Sequence, residues 1–242
     1  MLTESQKSEI RQKYASGSSY LKLANEYGVS KATISYIIKG RKSTRQEEAG
    51  MISTRIAEIT RETKETIIKI TLNLDGEGRS EINTTIKFFD HLLILLAKHG
   101  DLDLQVSARG DLQHHLVEDV GIALGQAFLK ALGKKVGIER YGFAYVPMDE
   151  SLARVVVDFS GRPYVVLKMK FLNSTIEDMQ TEDCIHFLES FGTNALMNLH
   201  AEILSGENDH HKIEAIIKAL ARAIKQAVKV TGKNIPSTKG QI

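Results

Sequence analysis

Hydrophobic and polar residues alternate along much of the chain with the periods of strands and of amphipathic helices. Between residues 68 and 74 every second position is Ile or Leu and the others are polar, which predicts a half-buried strand. Asp75-Gly76 predicts a hairpin turn into a second strand over 80–87. A leucine-rich face predicts a helix over 89–99, alternation predicts a strand over 102–108, and a long helix is predicted over 114–132.

The same order of elements recurs in the second part of the chain. Strands are predicted over 152–159 and 164–171, a helix over 181–196, a strand over 199–204 and a helix over 210–230. HHLVEDVGIALGQAFLKAL aligns without gaps on HHKIEAIIKALARAIKQAV, which indicates an internal duplication of about 95 residues. The predicted fold class is α/β in the broad sense of mixed helices and strands, with the arrangement called α+β. Two similar ββαβα halves, about 54–145 and 146–242, pack sheet against sheet or helices against helices in one domain.

The first 45 residues predict a different, all-helical unit. A helix over 4–15 is followed by two short helices that Ser18 or Ser19 and Ser30 can cap, with Gly28 at the turn between them. This order predicts a helix-turn-helix and resembles the resolvase and transposase type of that motif. The resemblance implies DNA contacts by Lys31, Ser35, Tyr36, Lys39, Arg41 and Lys42. A small basic bundle for protein contact or assembly is the alternative, and residues 46–53 are predicted to be a linker.

Composition narrows the class of protein. The chain of 242 residues is 42% hydrophobic and 26% charged, which excludes a mostly disordered or collagen-like protein. No apolar stretch approaches the roughly 20 residues of a membrane span, and the polar start predicts no secretory signal. Cys184 is the only cysteine, which favours a reducing cytoplasm. Residues 1–45 carry nine Lys or Arg against three Asp or Glu, whereas the remainder is mildly acidic, so the two parts are expected to have different partners.

Six of the eight histidines fall into two matching sets. His91 precedes the pair His114-His115, and His186 precedes the pair His210-His211. Each pair is followed by a glutamate that shares a helix face with its first histidine, namely Glu118 and Glu214. The second histidine of each pair points about 100° away, so it is expected to serve another ion.

Eight such ligands suffice for two sites of four. Imidazole with carboxylate suits Zn, Mn, Fe or Ni, and the spacing does not select among them. The alternative is that these histidines make ordinary hydrogen bonds at helix starts. His99 and His200 lie outside the pattern and are expected to be structural.

Many separate motifs over residues 53–242 resemble the imidazoleglycerol-phosphate dehydratases of histidine biosynthesis. They are RETKETIIKITLNLDGEG, FFDHLL, AKHG, HHLVEDVGIALG, GIERYGFAYVPMDESL, DFSGRPY, GENDHHKIEAIIKALARA and PSTKG. The resemblance implies a duplicated fold of the ribosomal-protein-S5-domain-2-like type. It also implies a homo-oligomer, commonly of 24 subunits, with two Mn²⁺ ions at subunit contacts and no membrane association.

The resemblance assigns roles to individual residues. The metal ligands would be His91, His114, His115, Glu118, His186, His210, His211 and Glu214. The metals would favour the imidazolate form of the substrate ring, which then expels a hydroxyl group to give imidazole acetol phosphate. Glu65, with the ligands Glu118 and Glu214, forms the catalytic set, and Glu65 is proposed to transfer the proton. The substrate phosphate would be held by Arg140, Arg162, Lys218, Ser237 and Lys239.

One departure from the family pattern concerns the first histidine pair. The family usually has a longer loop there, with Asp before the pair and Thr after it, whereas this chain has Gln113 and Leu116. All candidate ligands are present, but the groups that orient them differ. Because the candidate metal ligands and phosphate-binding residues are present, the first hypothesis is an active dehydratase with a DNA-binding head. The alternative is a metabolite- or metal-responsive transcription regulator derived from the enzyme.

Overall fold

The computed structural model describes residues 2–39 and 55–242, which belong to two separate compact units. Within these ranges no helix combines the length and the apolar character needed to cross a bilayer.

The unit that contains residues 2–39 has three helices, α1 (Glu4–Ala15), α2 (Tyr20–Glu26) and α3 (Lys31–Lys39). Side-chain oxygens cap their starts: Thr3 forms a capping box with Gln6, Ser19 accepts the N–H of Lys22, and Ser30 accepts that of Thr33. Between α2 and α3 the chain turns at Gly28, whose φ of 62° favours glycine. The small core consists of Ile10, Leu23, Ala24, Ile34 and Ile37.

The first half of the larger unit is one four-stranded sheet with two helices. The strands are β1 (Ile56–Glu62), β2 (Thr66–Asn73), β3 (Ser80–Asn83) and β4 (Asp103–Gly110), in the order β1-β2-β4-β3. Helix α4 (Lys87–Gly100) joins β3 to β4, and α5 (Gln113–Leu132) follows β4. As the alternation predicts, Ile68, Ile70 and Leu72 of β2 are buried, because successive strand residues face opposite sides of the sheet.

The second half repeats this topology. Its sheet contains β5 (Tyr141–Met148), β6 (Ser151–Asp158), β7 (Tyr164–Lys168) and β10 (Asn198–Ser205), in the order β5-β6-β10-β7. A short hairpin of β8 (Thr175–Ile176) and β9 (Met179–Gln180) leads into α6 (Thr181–Asn194), and α7 (Asp209–Val228) follows β10. Strand for strand the order matches that of the first sheet.

Helices of the two halves pack against one another and the sheets lie outside them. Helix α5 packs on β1 and β2 and also against α6, while α7 packs on β5 and β6 and also against α4. One continuous core joins the two halves, with Phe89 touching Phe187 and Phe128 touching Phe191. Of the two predicted arrangements, the structure therefore has the one in which helices meet helices.

The prediction of ββαβα halves is wrong by one strand, because β1 and β5 precede the predicted elements. The order common to the two halves is βββαβα, and the second half adds the β8–β9 hairpin. Strand β1 lies at the sheet edge and buries only Ala57 fully. Strand β5 has an inverted pattern, with small residues inward and aromatic residues outward. A Cβ at Gly142 would lie 1.9 Å from the carbonyl oxygen of Ala223 in α7, so only glycine fits this close approach.

The predicted hairpin at Asp75-Gly76 is also wrong. Strand β2 pairs antiparallel with β4, and β3 pairs with the opposite edge of β4 in parallel. The segment between β2 and β3 is tied to the start of β4, because the carboxylate of Asp103 accepts the N–H groups of Glu77 and Arg79. The turn at Asp75-Gly76 can be predicted from adjacent residues, whereas the strand with which β3 pairs depends on these hydrogen bonds to Asp103.

Gly125 of α5 lies against the C-terminal end of α6, so a substitution at this position tests how closely the two helices pack. A Cβ there would lie 2.7 Å from the Phe191 carbonyl oxygen, the Ala195 nitrogen and the Asn194 Cβ. We expect G125A to lower the free energy of unfolding by about 1–3 kcal/mol through overpacking. In an uncrowded helix the same change stabilises by about 1 kcal/mol.

Chemical denaturation of the full chain measures this effect. G121A is the graded control, because a Cβ at Gly121 would meet its nearest atom, the Phe187 carbonyl oxygen, at 2.9 Å. Its loss should be smaller. A stabilised G125A would contradict the close packing.

Candidate functional site

His91, on α4 of the first half, lies beside the start of α7 in the second half. Its Nε2 is 2.8 Å from Oε1 of Glu214, and Nε2 of His210 is 3.0 Å from the same oxygen. One potential ligand atom of each of the three side chains lies within 4.8 Å of the other two. We call this group the His91 cluster.

His186, on α6, lies correspondingly beside the start of α5. The rings of His186 and His114 are 4.8 Å apart, and Nε2 of His114 is 4.0 Å from Oε2 of Glu118. We call these three residues the His186 cluster. It is looser and more exposed than the His91 cluster, because the Glu118 side chain is 46% exposed and lies farther from its histidine than Glu214 does.

The spatial clusters cross the two sequence sets, in which His91 precedes the first histidine pair and His186 precedes the second. Because α4 packs against α7 and α5 against α6, each lone histidine meets the pair of the opposite half. The predicted sharing of a helix face by His210 and Glu214 is present in the structure.

The donor set of the His91 cluster fits a divalent metal ion. Two imidazole nitrogens and one carboxylate suit Mn, Zn or Fe and leave coordination positions open. The Glu214 side chain is only 8% exposed. Burial alone would raise the pKa of Glu214, but hydrogen bonds from Lys218, His91 and His210 outweigh it and lower that pKa to about 2. The group is therefore a carboxylate at neutral pH, as a ligand must be.

The second histidine of each pair points away from both clusters. His115 lies 3.8 Å from Glu65, and His211 lies 3.6 Å from Asp149. Hydrogen bonds from the imidazoles to Asp111 and Glu150, respectively, raise the pKa of both histidines. Neither joins a cluster of its own chain, in agreement with the predicted divergence on the helix.

A carboxylate holds Nδ1 of all four paired histidines, and the histidine spacing does not predict these carboxylates. Because a carboxylate only accepts, Nδ1–H donates, and in His114, His115 and His211 Nε2 keeps its lone pair for a ligand. In His210, Nε2 also lies 3.0 Å from the Glu214 carboxylate, with which it would share an ion. The distances are 3.0 Å from His114 to Asp183, 2.9 Å from His115 to Asp111, 3.2 Å from His210 to Glu177, and 2.7 Å from His211 to Glu150. Of the four carboxylates, only Asp111 could be predicted from the local sequence, because it lies four residues before His115, which it binds.

Gln113 and Leu116, which depart from the family pattern, both have structural roles. The Gln113 amide donates to the carbonyl oxygen of Asp178 at 2.7 Å and accepts the N–H of Gln180 at 3.3 Å, so it fastens the start of α5 to the β8–β9 hairpin. Leu116 is buried in the core.

Glu65 lies in the turn between β1 and β2, and its side chain is more than half exposed. Its carbonyl oxygen accepts the N–H of Asp111, which places the turn beside the start of α5. Glu118, next to His114, has a half-exposed side chain, whereas Glu214 is buried. The three predicted catalytic carboxylates therefore do not share one place within a chain.

Four of the five predicted phosphate-binding residues line one cavity of about 780 Å³. These are Arg140, Arg162, Ser237 and Lys239. The Arg140 guanidinium donates to both oxygens of Asp158 and to the Pro236 carbonyl, which fixes it against the C-terminal segment. We call this space the anion cavity.

Lys218 is separate from this group. Its ammonium lies 2.6 Å from Oε2 of Glu214, so it belongs to the surroundings of the His91 cluster. Within one chain Lys218 therefore lies apart from the other four predicted phosphate-binding residues, two turns along α7 from His210.

The His91 cluster and the anion cavity lie at opposite ends of α7. His210 is at the start of the helix, and the N–H of Arg140 donates to the carbonyl oxygen of Ala227 near its end. Seventeen residues of helix span roughly 25 Å. A small phosphorylated molecule cannot reach both places in one chain.

Of the residues predicted to contact DNA, four lie on α3. Lys31 is exposed and Ser35 is partly buried, and Tyr36 and Lys39 occupy later positions of the same helix. Arg41 and Lys42 lie outside the described residues.

Comparison with known proteins identifies the larger unit. The family model of imidazoleglycerol-phosphate dehydratase matches residues 84–224, which include all eight candidate metal ligands. The chain belongs to the imidazoleglycerol-phosphate dehydratase family. The dehydratase of Methanothermobacter thermautotrophicus is 51% identical over 195 residues, covering 79% of this chain and 100% of the relative. That of Exiguobacterium is 52% identical over 192 residues, covering 78% and 98%.

Solved structures of the family have the same fold. The Staphylococcus aureus dehydratase superposes with a TM-score of 0.68 at 39% identity, covering 73% of this chain and 99% of that chain. The Pyrococcus furiosus enzyme gives 0.69 at 34% identity, covering 76% and 100%. Members of this family are hydro-lyases of histidine biosynthesis, and this chain is a hydro-lyase.

A buried ion pair at the start of α7 supports the position of His210. Asp209 binds Lys212 at 2.8 Å and accepts the N–H groups of Leu172 and Asn173, with both charged side chains almost fully buried. We expect K212M to lower the free energy of unfolding by about 3 kcal/mol, because the buried carboxylate loses its cation.

Chemical denaturation compares K212M with D209N/K212M. The double variant should recover part of the loss, since Asn keeps an acceptor for the loop without a charge. A double variant no more stable than K212M would assign the cost to packing of the lysine stem.

Proposed function

We propose that this chain catalyses the metal-dependent dehydration of imidazole glycerol phosphate to imidazole acetol phosphate, in the cytoplasm. The observation that supports this most is the crossed pair of histidine and glutamate clusters in a chain about 50% identical to known dehydratases. The regulator hypothesis is not favoured, because the ligands and their orienting carboxylates are all present.

Two Mn²⁺ ions per active site are the proposed cofactors. When bound, such ions act as Lewis acids that stabilise negative charge on the substrate imidazole. The His91 cluster and the His186 cluster would each supply three ligands. The carboxylates on Nδ1 would keep each Nε2 directed at the ion.

The remaining ligands would come from other copies of the chain. His115 and His211 face away from the clusters of their own chain and keep Nε2 available, so each can complete the coordination sphere in a neighbour. Glu65 lies beside His115 and would enter the same shared site, where it can move a proton to or from the substrate.

The substrate phosphate would also be bound across copies. Arg140, Arg162, Ser237 and Lys239 would hold it from one chain, and Lys218 would approach it from the metal side of another. The separation of roughly 25 Å along α7 supports this sharing. We propose a closed homo-oligomer, of 24 subunits as in the family.

Complementation between two variants tests the shared site. H210A removes a ligand of the His91 cluster, and R162A removes a cation of the anion cavity. We expect each variant alone to lose most of its dehydratase activity. Particles that contain both, made by co-expression with different tags and assayed with Mn²⁺, should regain activity, because some sites combine intact parts of both chains.

H200A is the matched control, since His200 is exposed on β10 outside both clusters, and it should keep full activity. Mixed particles no more active than the sum of the two variants would contradict the shared site. A wild-type chain that binds Mn²⁺ and substrate without turnover would contradict the dehydratase function itself.

We also propose that the unit containing residues 2–39 binds double-stranded DNA through α3. Its support is the short Gly28 turn between two helices that meet at the buried Ala24, Ile34 and Ile37. Lys31 is exposed at the start of α3, directly after this turn, where it can meet phosphates.

Gel-shift titration of the full chain at several salt concentrations tests this second role. Binding should weaken steeply as salt rises, because phosphate contacts release counterions. K31E should weaken it at least about tenfold. K134E, the same charge change at an exposed position of the larger unit, should not. Equal effects of the two variants would contradict a contact by α3.

A further inference from the structure

Helices α4 and α6 hold equivalent places in the two halves, but the residue three positions before the lone histidine has a different role in each. Phe88 lies three residues before His91, and Asp183 lies three residues before His186. The Phe88 ring packs on the ring of His210 with centroids 4.9 Å apart. The Asp183 carboxylate instead accepts a hydrogen bond from His114 at 3.0 Å. Each side chain thus supports the histidine of the opposite half, one by packing and one by charge.

Asp183 is well placed to orient an imidazole. Its side chain is only 3% exposed, whereas Glu177, which binds Nδ1 of His210, is 62% exposed. A hydrogen bond to a buried carboxylate is less screened by water and loses less side-chain entropy than one to an exposed carboxylate. His114 is therefore held more firmly by its acid than His210 is by Glu177.

The residue directly before His114 is not available for this role. The Gln113 amide is engaged by Asp178 and Gln180 on the β8–β9 hairpin. Asp111 is engaged by His115. Among the described contacts of the His114 ring, Asp183 is the one that holds Nδ1.

We propose that Asp183 is the positioning residue of the His186 cluster, which sets the His114 tautomer and aims Nε2 at the ion shared with Glu118. This rests on the proposed metal-dependent function. A merely structural role is the competing explanation, because Asp183 is also an acid in the first turn of α6, where it stabilises the helix dipole. The two explanations differ in whether metal binding at one cluster changes.

To distinguish the two explanations, the full chain is titrated with Mn²⁺ alone. The bound ions are counted by electron paramagnetic resonance. The wild type should bind ions at both clusters. D183L should weaken one of the two classes of ion about 10–100-fold and leave the other unchanged. D183N keeps an acceptor but loses the charge, so its effect should be intermediate.

A double-variant comparison assigns the affected ion. H114A should weaken the same class of ion, and D183L should have no further effect in the H114A background, because both act through one imidazole. E177Q is the matched control, and it should change only the other class, since Glu177 binds His210. Thermal unfolding of the metal-free variants, followed by circular dichroism, reports whether α6 is merely less stable.

The outcomes separate the two proposals. A D183L chain that binds Mn²⁺ as the wild type does, or that weakens both classes equally, overturns the role of Asp183 and leaves the dehydratase function standing. A wild type that binds no Mn²⁺ overturns the metal-dependent function and this role with it. Lower thermal stability with unchanged metal binding supports the helix-dipole explanation and overturns ours.

Discussion

The packing of α4 on α7 and of α5 on α6 is the constraint on which the rest of the larger unit depends. Each helix carries part of a cluster, and only the contact with a helix of the opposite half completes it. The same contacts join the two halves in one hydrophobic core, with aromatic side chains such as Phe89 and Phe187 in direct contact. Folding stability and ligand geometry therefore rest on the same surface.

The spacing of the histidine pairs sets what a single chain can do. A residue and its fourth successor share a helix face, so His210 and Glu214 converge, whereas adjacent histidines must diverge by about 100°. The divergence places His115 and His211 against other carboxylates of the chain and away from the clusters. Helical geometry alone thus prevents the two histidines of a pair from joining one cluster within a chain.

Local patterns were predicted well and long-range partners were not. The alternation in β2 and the histidine–glutamate pairs on α5 and α7 depend on neighbours a few residues apart, so they could be predicted from the sequence. Strand β5 was missed because Gly142 must be small to let α7 approach, which reverses the usual hydrophobic pattern. Asp183 and Glu177 were missed because they come from distant segments and only the fold brings them to their histidines.

The exchange of cluster residues between the halves bears on how such a chain could have arisen. A polypeptide consisting of one half alone would contain one lone histidine and one histidine–glutamate pair. These could not meet, so neither would complete a cluster. Two identical copies related by a twofold axis would supply both at once, giving two equivalent centres. Fusion of the copies then frees each centre to diverge, and Phe88 and Asp183 stand at corresponding points of such a divergence.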